Sequence, residues 1–256
     1  MNIQVTPLGY GGALTIPSSV TYQNKTYAVT KISNYAFCLC SNFTSVTIPN
    51  SVTSIGAYAF RSCTGLTRIT IGNAVTSIGY ACFNGCKSLT SIAIPSSVTE
   101  LGKYAFAACT GLTSIAIPNS VTSISDYAFS ACTSLTSIMT KIASPKTVIY
   151  YYTDDASNHF ISIPATSTLY VPEGTIESYQ LEQYNNKPNP WLAFGTMSEI
   201  IDGDVDLDGK VTSADVTAIY NCILNNDIEH HATCDINGDG NITAANITAL
   251  YNIILN

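Results

Sequence analysis

The sequence predicts a solenoid of stacked parallel strands followed by a small all-α domain. Two observations support this prediction. One motif recurs every 23 residues through the first part of the chain, five times in register. Charge is also unevenly distributed, because the 256 residues carry −7 overall whereas residues 202–256 hold nine acids and one base. We therefore place a domain boundary near residue 200, and the acidic tail indicates a cation site.

The repeating unit contains a strand motif and two short elements, Val-Thr-Ser-Ile and Tyr-Ala-Phe. Its strand reads Leu66–Ile71 in one copy, recurs at 89–94 and 112–117, and has a variant at 43–48. That spacing is the L-x-x-L-x-L strand signature of leucine-rich repeats. We therefore predict a leucine-rich repeat solenoid with parallel strands, a 23-residue period and a right-handed superhelix.

Each repeat is too short to bury its own apolar side, so neighbouring repeats must stack. Six positions per repeat are expected to point inward: Leu, Ile and Ile of the strand, Val and Ile of Val-Thr-Ser-Ile, and the Phe of Tyr-Ala-Phe. Each such side chain gains roughly 1.5–3 kcal/mol on burial. The repeats should therefore fold without cross-links.

The two ends of the array depart from the motif, as capping units should. Residues 13–17 look like a half-repeat and residues 21–27 like a hairpin, so we assign 1–28 to an N-terminal cap. Five repeats then occupy 29–141, and an aromatic, Pro-containing segment at 142–200 is predicted to be a C-terminal cap. Residues 201–256 form the remaining domain.

The repeat Ile-Gly-x-Tyr-Ala-Phe-x-x-Cys-x-x-Leu-Thr-Ser-Ile-x-Ile-Pro-x-Ser-Val resembles the BspA-type leucine-rich repeat of bacterial surface proteins. The resemblance covers residues 13 to about 140. It implies a secreted or cell-surface interaction protein of an anaerobic bacterium, without naming a ligand. Met1–Gln4 lacks the basic start and apolar segment of a signal peptide, so we expect such a peptide to have been removed.

Nine cysteines are present, and one recurs in every repeat as a column. Buried free thiols are favoured for this column because Cys behaves as a small hydrophobe. The distance expected between Cα atoms of adjacent repeats would also permit disulfides, so that alternative is kept. The column members are Cys40, Cys63, Cys86, Cys109 and Cys132. The three histidines, His159, His230 and His231, lie in no catalytic motif, so we predict that the protein is not an enzyme.

The acidic tail contains two loops with the oxygen-ligand spacing of an EF-type calcium site. In each loop, seven residues fall at positions 1, 3, 5, 6, 7, 9 and 12, with Gly at the sharp turn. The predicted metal-site residues of loop 1 are Asp204, Asp206, Asp208, Lys210, Thr212 and Asp215. Those of loop 2 are Asp235, Asn237, Asp239, Asn241, Thr243 and Asn246.

An amphipathic helix is predicted after each loop, and no comparable helix before it. The apolar residues recur at i, i+3, i+4, i+7 and i+8, which is the period of one helix face. In the first helix they are Val216, Ile219, Tyr220, Ile223 and Leu224, and in the second Ile247, Leu250, Tyr251, Ile254 and Leu255. The tail is therefore a duplicated loop–helix unit.

A duplicated calcium loop–helix after a repeat array resembles a type I dockerin. The residues that carry the resemblance are Gly203-Asp204-x-Asp206-x-Asp208-Gly209 and 213–220. The resemblance implies a calcium-folded domain that docks a cohesin module on another protein. It places the recognition residues at Ser213, Ala214, Tyr220 and Asn221, with duplicates at Ala244, Ala245, Tyr251 and Asn252. The Tyr-Asn pair departs from the Lys-Arg often found there.

The two resemblances together predict a non-catalytic secreted or cell-surface interaction protein. Its repeat face or C-terminal cap would bind an unknown protein or glycan, while residues 201–256 dock a cohesin-bearing partner. The alternative is a surface adhesin for a host matrix protein or glycan, with the tail only a calcium-stabilised terminus. Too few Lys and Arg are present for nucleic-acid binding, and no apolar run is long enough to span a membrane.

The two calcium sites should differ in strength, because ligand charge tunes affinity in such loops. Loop 1 supplies four carboxylates and loop 2 only two. At position 12, Asn246 offers one amide oxygen where a carboxylate can chelate with two. We therefore expect two Ca²⁺ sites, with the first loop stronger.

Overall fold

The computed structural model describes residues 11–145, 149–150, 162–181, 183–184, 187–206, 210–225, 231–236 and 242–255. In chain order the strands are β1 (Gly12–Thr15), β2 (Ser19–Tyr22), β3 (Lys25–Ala28), β4 (Lys31–Ile32), β5 (Phe43–Thr47), β6 (Ser54–Ile55), β7 (Arg68–Thr70), β8 (Ser77–Ile78), β9 (Ser91–Ala93), β10 (Glu100–Leu101), β11 (Ser114–Ile117), β12 (Ser123–Ile124), β13 (Ser137–Thr140), β14 (Ile149–Tyr150), β15 (Thr168–Pro172), β16 (Gln183–Tyr184), β17 (Lys187–Pro188) and β18 (Thr196–Ile200). The helices are α1 (Ile176–Tyr179), α2 (Ser213–Asn225), α3 (His231–Cys234) and α4 (Ala244–Ile254), with a 3-10 turn at Pro190–Ala193.

Two columns of parallel strands run along the repeat array, one formed by the predicted strand motif and a second, which was not predicted, formed by the short Val-Thr-Ser-Ile element. The first column contains β1, β5 and β7 in one hydrogen-bonded sheet and β9, β11, β13, β15 and β18 in another. The second is a six-stranded sheet in the order β14-β12-β10-β8-β6-β4. Ser54 pairs with Ser77 and Glu100 with Ser123, so each pairing advances by one 23-residue repeat. The predicted half-repeat strand β1 pairs in parallel with β5, and β2 and β3 form the predicted hairpin.

The core of the array consists of columns with one side chain from each repeat. All six predicted inward positions are buried in each of the five repeats. Phenylalanine rings of neighbouring repeats stack at 5.0 to 5.5 Å between centroids. The stacked residues are Phe37, Phe60, Phe83, Phe106 and Phe129. The predicted side-chain pattern of the solenoid is confirmed.

The cysteine column consists of free thiols. The Sγ atoms of Cys63, Cys86 and Cys109 each donate, at 3.1 Å, to the backbone carbonyl of the column phenylalanine one repeat earlier. Cys132 does the same at 3.3 Å. Burial raises the pKa of Cys132 to about 12, which keeps the thiol protonated. Four of the five column cysteines therefore fill space and add a second hydrogen bond to a phenylalanine carbonyl that already accepts a backbone N–H.

The predicted C-terminal cap carries the first strand column further than its sequence indicates. Although the motif disappears after residue 141, β15 pairs in parallel with β13, and β18 with β15. Tyr179 and Trp191 are fully buried against this extension, with ring centroids 5.5 Å apart. Tyr179 donates its hydroxyl to the carbonyl of Ile142 at 2.6 Å. His159 and His230 lie outside the described residues.

The acidic tail has a small core of its own, formed by α2, α4 and the segments that precede them. Its buried members are Val205, Val216, Ile219, Cys222, Cys234, Ile247 and Leu250. A disulfide between Cys222 and Cys234 joins α2 to α3. Among the described residues, every helix is too short or too polar to cross a bilayer.

Candidate calcium and docking site

Loop 1 brings three carboxylates together where its two ends meet. Oxygens of Asp204, Asp206 and Asp215 all lie within 4.8 Å of one another. Asp204 and Asp215 are buried and Asp206 is exposed, so the cluster opens to solvent on one side. Convergent carboxylates are the donor set that Ca²⁺ takes in proteins, and their chemistry fits that ion. Asp208 and Gly209 lie outside the described residues.

Asp215 at position 12 also holds the loop in shape. Its Oδ1 accepts the backbone N–H of Val205 at 2.7 Å and that of Asp206 at 3.3 Å. Its Oδ2 accepts the N–H of Thr212 at 2.7 Å. Because Asp215 lies in the first turn of α2, its charge also faces the positive end of the helix dipole. Lys210 is exposed and Thr212 half-buried.

The two helices begin in the same way, as the predicted duplication requires. The hydroxyl of Thr212 accepts the N–H of Ala214 at 3.1 Å, and that of Thr243 accepts the N–H of Ala245 at 3.2 Å. A threonine oxygen that accepts such an N–H caps a helix N-terminus. The ninth position of each calcium loop therefore also starts its helix.

Loop 2 is described only at its ends. Asp235 at position 1 is 7% exposed and Asn246 at position 12 is fully buried. Asn237, Asp239 and Asn241 lie outside the described residues. Lys141 of the repeat array donates its Nζ to the Asp235 backbone carbonyl at 3.4 Å. This contact joins the second loop to the array.

The helices bury a narrower stripe than their apolar spacing predicts. Val216, Ile219, Ile247 and Leu250 are buried as expected. In contrast, other members of the apolar spacing are exposed: Tyr220 52%, Leu224 78%, Tyr251 48%, Ile254 36% and Leu255 80%. Two of these, Tyr220 and Tyr251, are also predicted recognition residues, a role that requires exposure. A core this small covers only one side of each helix.

All eight predicted recognition residues lie on exposed positions of the two helices. Ser213 and Ala214 stand at the start of α2, and Tyr220 and Asn221 two turns later. Ala244, Ala245, Tyr251 and Asn252 occupy the equivalent places on α4. Leu224 and Leu255, further along the same two helices, are exposed as well, and exposed apolar patches mark surfaces that meet other molecules.

The disulfide between Cys222 and Cys234 is not predicted by the sequence patterns described above. These two cysteines lie outside the 23-residue column and are 12 residues apart. The signal that could have found them is their location, because only these two of the nine cysteines fall in the tail. A disulfide is typical of proteins that mature in an oxidising compartment.

The face of the first strand column borders a cleft. Its outward positions form rows across the strands, such as Thr47 beside Thr70 and Ala93 beside Ala116. The cleft has a volume of about 920 Å³ and is lined by this face on one side and by tail residues, including Ile223 and Ile242, on the other. The described cleft wall contains Arg68 and Lys141 but no aromatic side chain.

Two family models match the chain. The BspA type leucine rich repeat region matches residues 30–157 in six copies. The dockerin type I domain matches residues 202–255. Both are non-catalytic domain types. No curated protein matches the chain.

Solved structures of bacterial repeat proteins are similar to parts of it. A leucine-rich repeat protein from Bacteroides capillosus is 35% identical, over 40% of this chain and 74% of its own, with a TM-score of 0.38. One from Bacteroides ovatus is 26% identical over 63% of this chain and 51% of its own, with a TM-score of 0.41. The T. pallidum leucine rich repeat protein is 24% identical, over 67% and 83%, with a TM-score of 0.47.

The match of the tail implies calcium binding and a cohesin partner. Both families are typical of extracellular or cell-surface proteins. The repeat model spans half of the chain and covers the repeats described above. The chain therefore belongs to the BspA type leucine-rich repeat family and ends in a type I dockerin domain.

Proposed function

We propose that this protein is a secreted or cell-surface adaptor without catalytic activity. Its tail docks onto a cohesin-bearing partner, and its repeat array presents a binding surface to a protein or glycan. The exposed apolar side of α2 and α4 is the observation that carries the proposal. On that side, Tyr220 and Tyr251 are each about half exposed, at 52% and 48%.

Calcium would be held in the tail by both loops, with loop 1 the stronger site. Asp204, Asp206 and Asp215 would provide carboxylate oxygens in loop 1, together with Asp208 and the Lys210 carbonyl. Asp235 and Asn246 would close loop 2. Calcium supplies charge neutralisation here, so that the loops can hold α2 and α4 in place. Fewer carboxylates in loop 2 favour weaker binding.

The domain boundaries are part of the same proposal. We assign 1–28 to the N-terminal cap, 29–141 to five repeats, 142–200 to the C-terminal cap and 201–256 to the docking domain. The separate buried clusters of the array and the tail support the last boundary. Limited proteolysis in chelator should cut first after residue 200, and a first cut inside the repeats would contradict the assignment.

The rival function is a surface adhesin whose tail is only a calcium-stabilised terminus. The contact between Lys141 and the Asp235 carbonyl favours it, because this contact packs the tail against the array. In that case the tail would bind no cohesin, and Lys141→Ala would lower the unfolding temperature of the tail. In the docking proposal, Lys141→Ala leaves cohesin binding unchanged.

Calorimetric titration with cohesin modules of the source organism tests the docking proposal. We expect binding in calcium, no binding in chelator, and at least tenfold weaker binding for the double variant Tyr220→Ala, Tyr251→Ala. Both copies are changed together because the duplicated helices present equivalent surfaces. Tyr22→Ala is the matched control, since Tyr22 is 54% exposed on the N-terminal hairpin. Absence of binding to every cohesin at micromolar concentration would favour the adhesin.

A further inference from the structure

A ladder of five tyrosines runs along the array, in the turns that follow five strands of the second sheet, β4, β6, β8, β10 and β12. The tyrosine ladder consists of Tyr35, Tyr58, Tyr80, Tyr104 and Tyr127. In that order, the ring centroids of neighbouring members lie 4.7, 5.1, 5.8 and 5.1 Å apart. Tyr35 is 51% and Tyr80 40% exposed, and the other three are half-buried. The ladder is therefore a continuous aromatic strip at the surface, away from the cleft.

The backbone of these turns does not call for tyrosine. Four of the five have a left-handed conformation, with φ between 57° and 60°. L-residues with a bulky side chain are disfavoured there, and glycine is favoured. A second left-handed position follows four residues after the first in every repeat, and it is occupied by Leu39 in the first repeat and by Ser62, Gly85, Ala108 and Ala131 in the other four. Small residues thus fill the comparable position in four of the five repeats, whereas tyrosine is kept in the ladder against the backbone preference.

The third repeat keeps the ladder although its sequence is out of phase. It reads Gly79-Tyr80-Ala81, with tyrosine one residue earlier than in the other repeats. Ala81 takes the left-handed conformation, with φ of 49°. The ring of Tyr80 still lies between Tyr58 and Tyr104, turned by 59° and 73° relative to them. The spatial position of the ring is thus preserved when its place in the sequence is not.

Cations lie over the tyrosine ladder. The Arg61 guanidinium is 5.6 Å from the centroid of Tyr58, and the Lys103 ammonium is 5.4 and 5.7 Å from those of Tyr104 and Tyr127. Lys103 also pairs with buried Asp126 at 3.4 Å. Residues 1–141 contain seven bases and two acids, which are Lys25, Lys31, Arg61, Arg68, Lys87, Lys103 and Lys141 against Glu100 and Asp126. The array is therefore positive overall, in contrast to the acidic tail.

We propose that the tyrosine ladder binds an extended acidic polysaccharide, with one ring per sugar unit. The step along the ladder is close to the length that one pyranose adds to an extended 1,4-linked chain. An extended peptide advances about 3.3 Å per residue, or twice that between side chains on one face, and fits the ladder less well. Phenol hydroxyls donate and accept hydrogen bonds, as sugar hydroxyls need. Arg61 favours carboxylates, which makes uronic acid units the expected component.

This inference rests on the proposed role of the array as a binding surface, and names its ligand class. The test uses the full calcium-loaded chain, with a hexamer of β-1,4-glucuronan as probe and cellohexaose as its uncharged counterpart. We expect the glucuronan to bind more tightly than cellohexaose by at least tenfold, with affinity that falls as salt rises. Arg61→Gln should weaken glucuronan binding at least fivefold and Tyr80→Ala at least tenfold. Tyr22→Phe, on the hairpin, should leave it unchanged.

The double variant Tyr58→Phe, Tyr104→Phe keeps the stacked rings and removes only hydroxyls, so it tests the ladder without disturbing the turns. We expect at least a fivefold loss of glucuronan binding with an unaltered unfolding temperature. Equal binding of both hexamers, no binding of either, or variants that bind like the wild type would overturn the inference. So would a protein ligand that is lost in the same variants. Cohesin binding, measured on each variant, reports on the docking proposal separately.

Discussion

Removal of calcium should unfold the tail and leave the repeat array folded. The carboxylates of Asp204, Asp206 and Asp215 lie within 4.8 Å of one another. At that separation two unit charges repel by roughly 3 kcal/mol at an effective dielectric of about 20, and by about 1 kcal/mol in bulk water. Pairs that include exposed Asp206 lie toward the lower value. The repulsion within these three carboxylate pairs opposes folding of a tail whose core has only seven buried side chains. The positive charge of the ion is therefore needed to keep the loop closed.

Far-UV circular dichroism measures this directly, because the tail holds most of the described helix. α2 and α4 contain 13 and 11 residues, whereas α1 and α3 contain four each. We expect chelator to remove more than half of the 222 nm signal and to leave the main thermal transition of the array in place. Chelator saturated with calcium beforehand is the control. A 222 nm signal that is indifferent to chelator would refute the reasoning.

Matched variants separate the two loops in the same assay. Asp204→Ala and Asp235→Ala each remove the first ligand of a loop. Because loop 1 carries more carboxylates, Asp204→Ala should raise the calcium concentration needed for half-maximal helix by the larger factor. Equal shifts for the two variants would contradict the predicted inequality of the sites.

Three further predictions concern stability. Reduction of the Cys222–Cys234 disulfide should destabilise the calcium-loaded tail by roughly 2–4 kcal/mol, read from its unfolding in urea; an unchanged midpoint would contradict it. Phe83→Ala should cost about 3–5 kcal/mol, because the ring is fully buried between two others at 5.4 and 5.5 Å; a loss below 1 kcal/mol would be inconsistent with that packing. Since burial raises the pKa of Cys132 to about 12, its contribution to stability should be complete below pH 9 and fall as pH rises toward 12; Cys132→Ala should lessen this alkaline loss.

The repeat core could be predicted from the sequence because the physics of one repeat applies to all of them. A side chain that is inward in one turn stacks on its equivalent in the next, so a column such as Phe37 to Phe129 is visible as simple recurrence. The calcium loop was equally accessible, since its ligands come from one short segment. Asp204, Asp206 and Asp215 converge in the structure as the spacing predicts.

The helix faces and the disulfide were less accessible, for different reasons. Apolar spacing does not separate residues that enter a core from those reserved for a partner, and Tyr220 and Tyr251 belong to the exposed set. The link between Cys222 and Cys234 depends on how α2 and α3 approach each other, which no local pattern records. The strands of the cap continue the array through backbone pairing alone. Since they lack the repeat motif, the sequence does not reveal them.

Departures from the period gain meaning when neighbouring repeats are considered together. Lys103 and Asp126 are 23 residues apart and therefore occupy the same position in adjacent repeats. Taken alone, each is only a charged residue at a variable position of the motif. Stacking brings them to 3.4 Å, and Asp126 is 1% exposed, so the pair supplies the charge partner that this burial requires. Tyr80 also departs from the motif, because it stands one residue earlier than the other ladder tyrosines. Its ring is turned relative to those of Tyr58 and Tyr104 and still lies between them. In a stacked array, a residue that departs from the motif is therefore constrained by the residue at the same position in the next repeat. Such departures give the array of this chain a surface that the repeat motif alone does not specify.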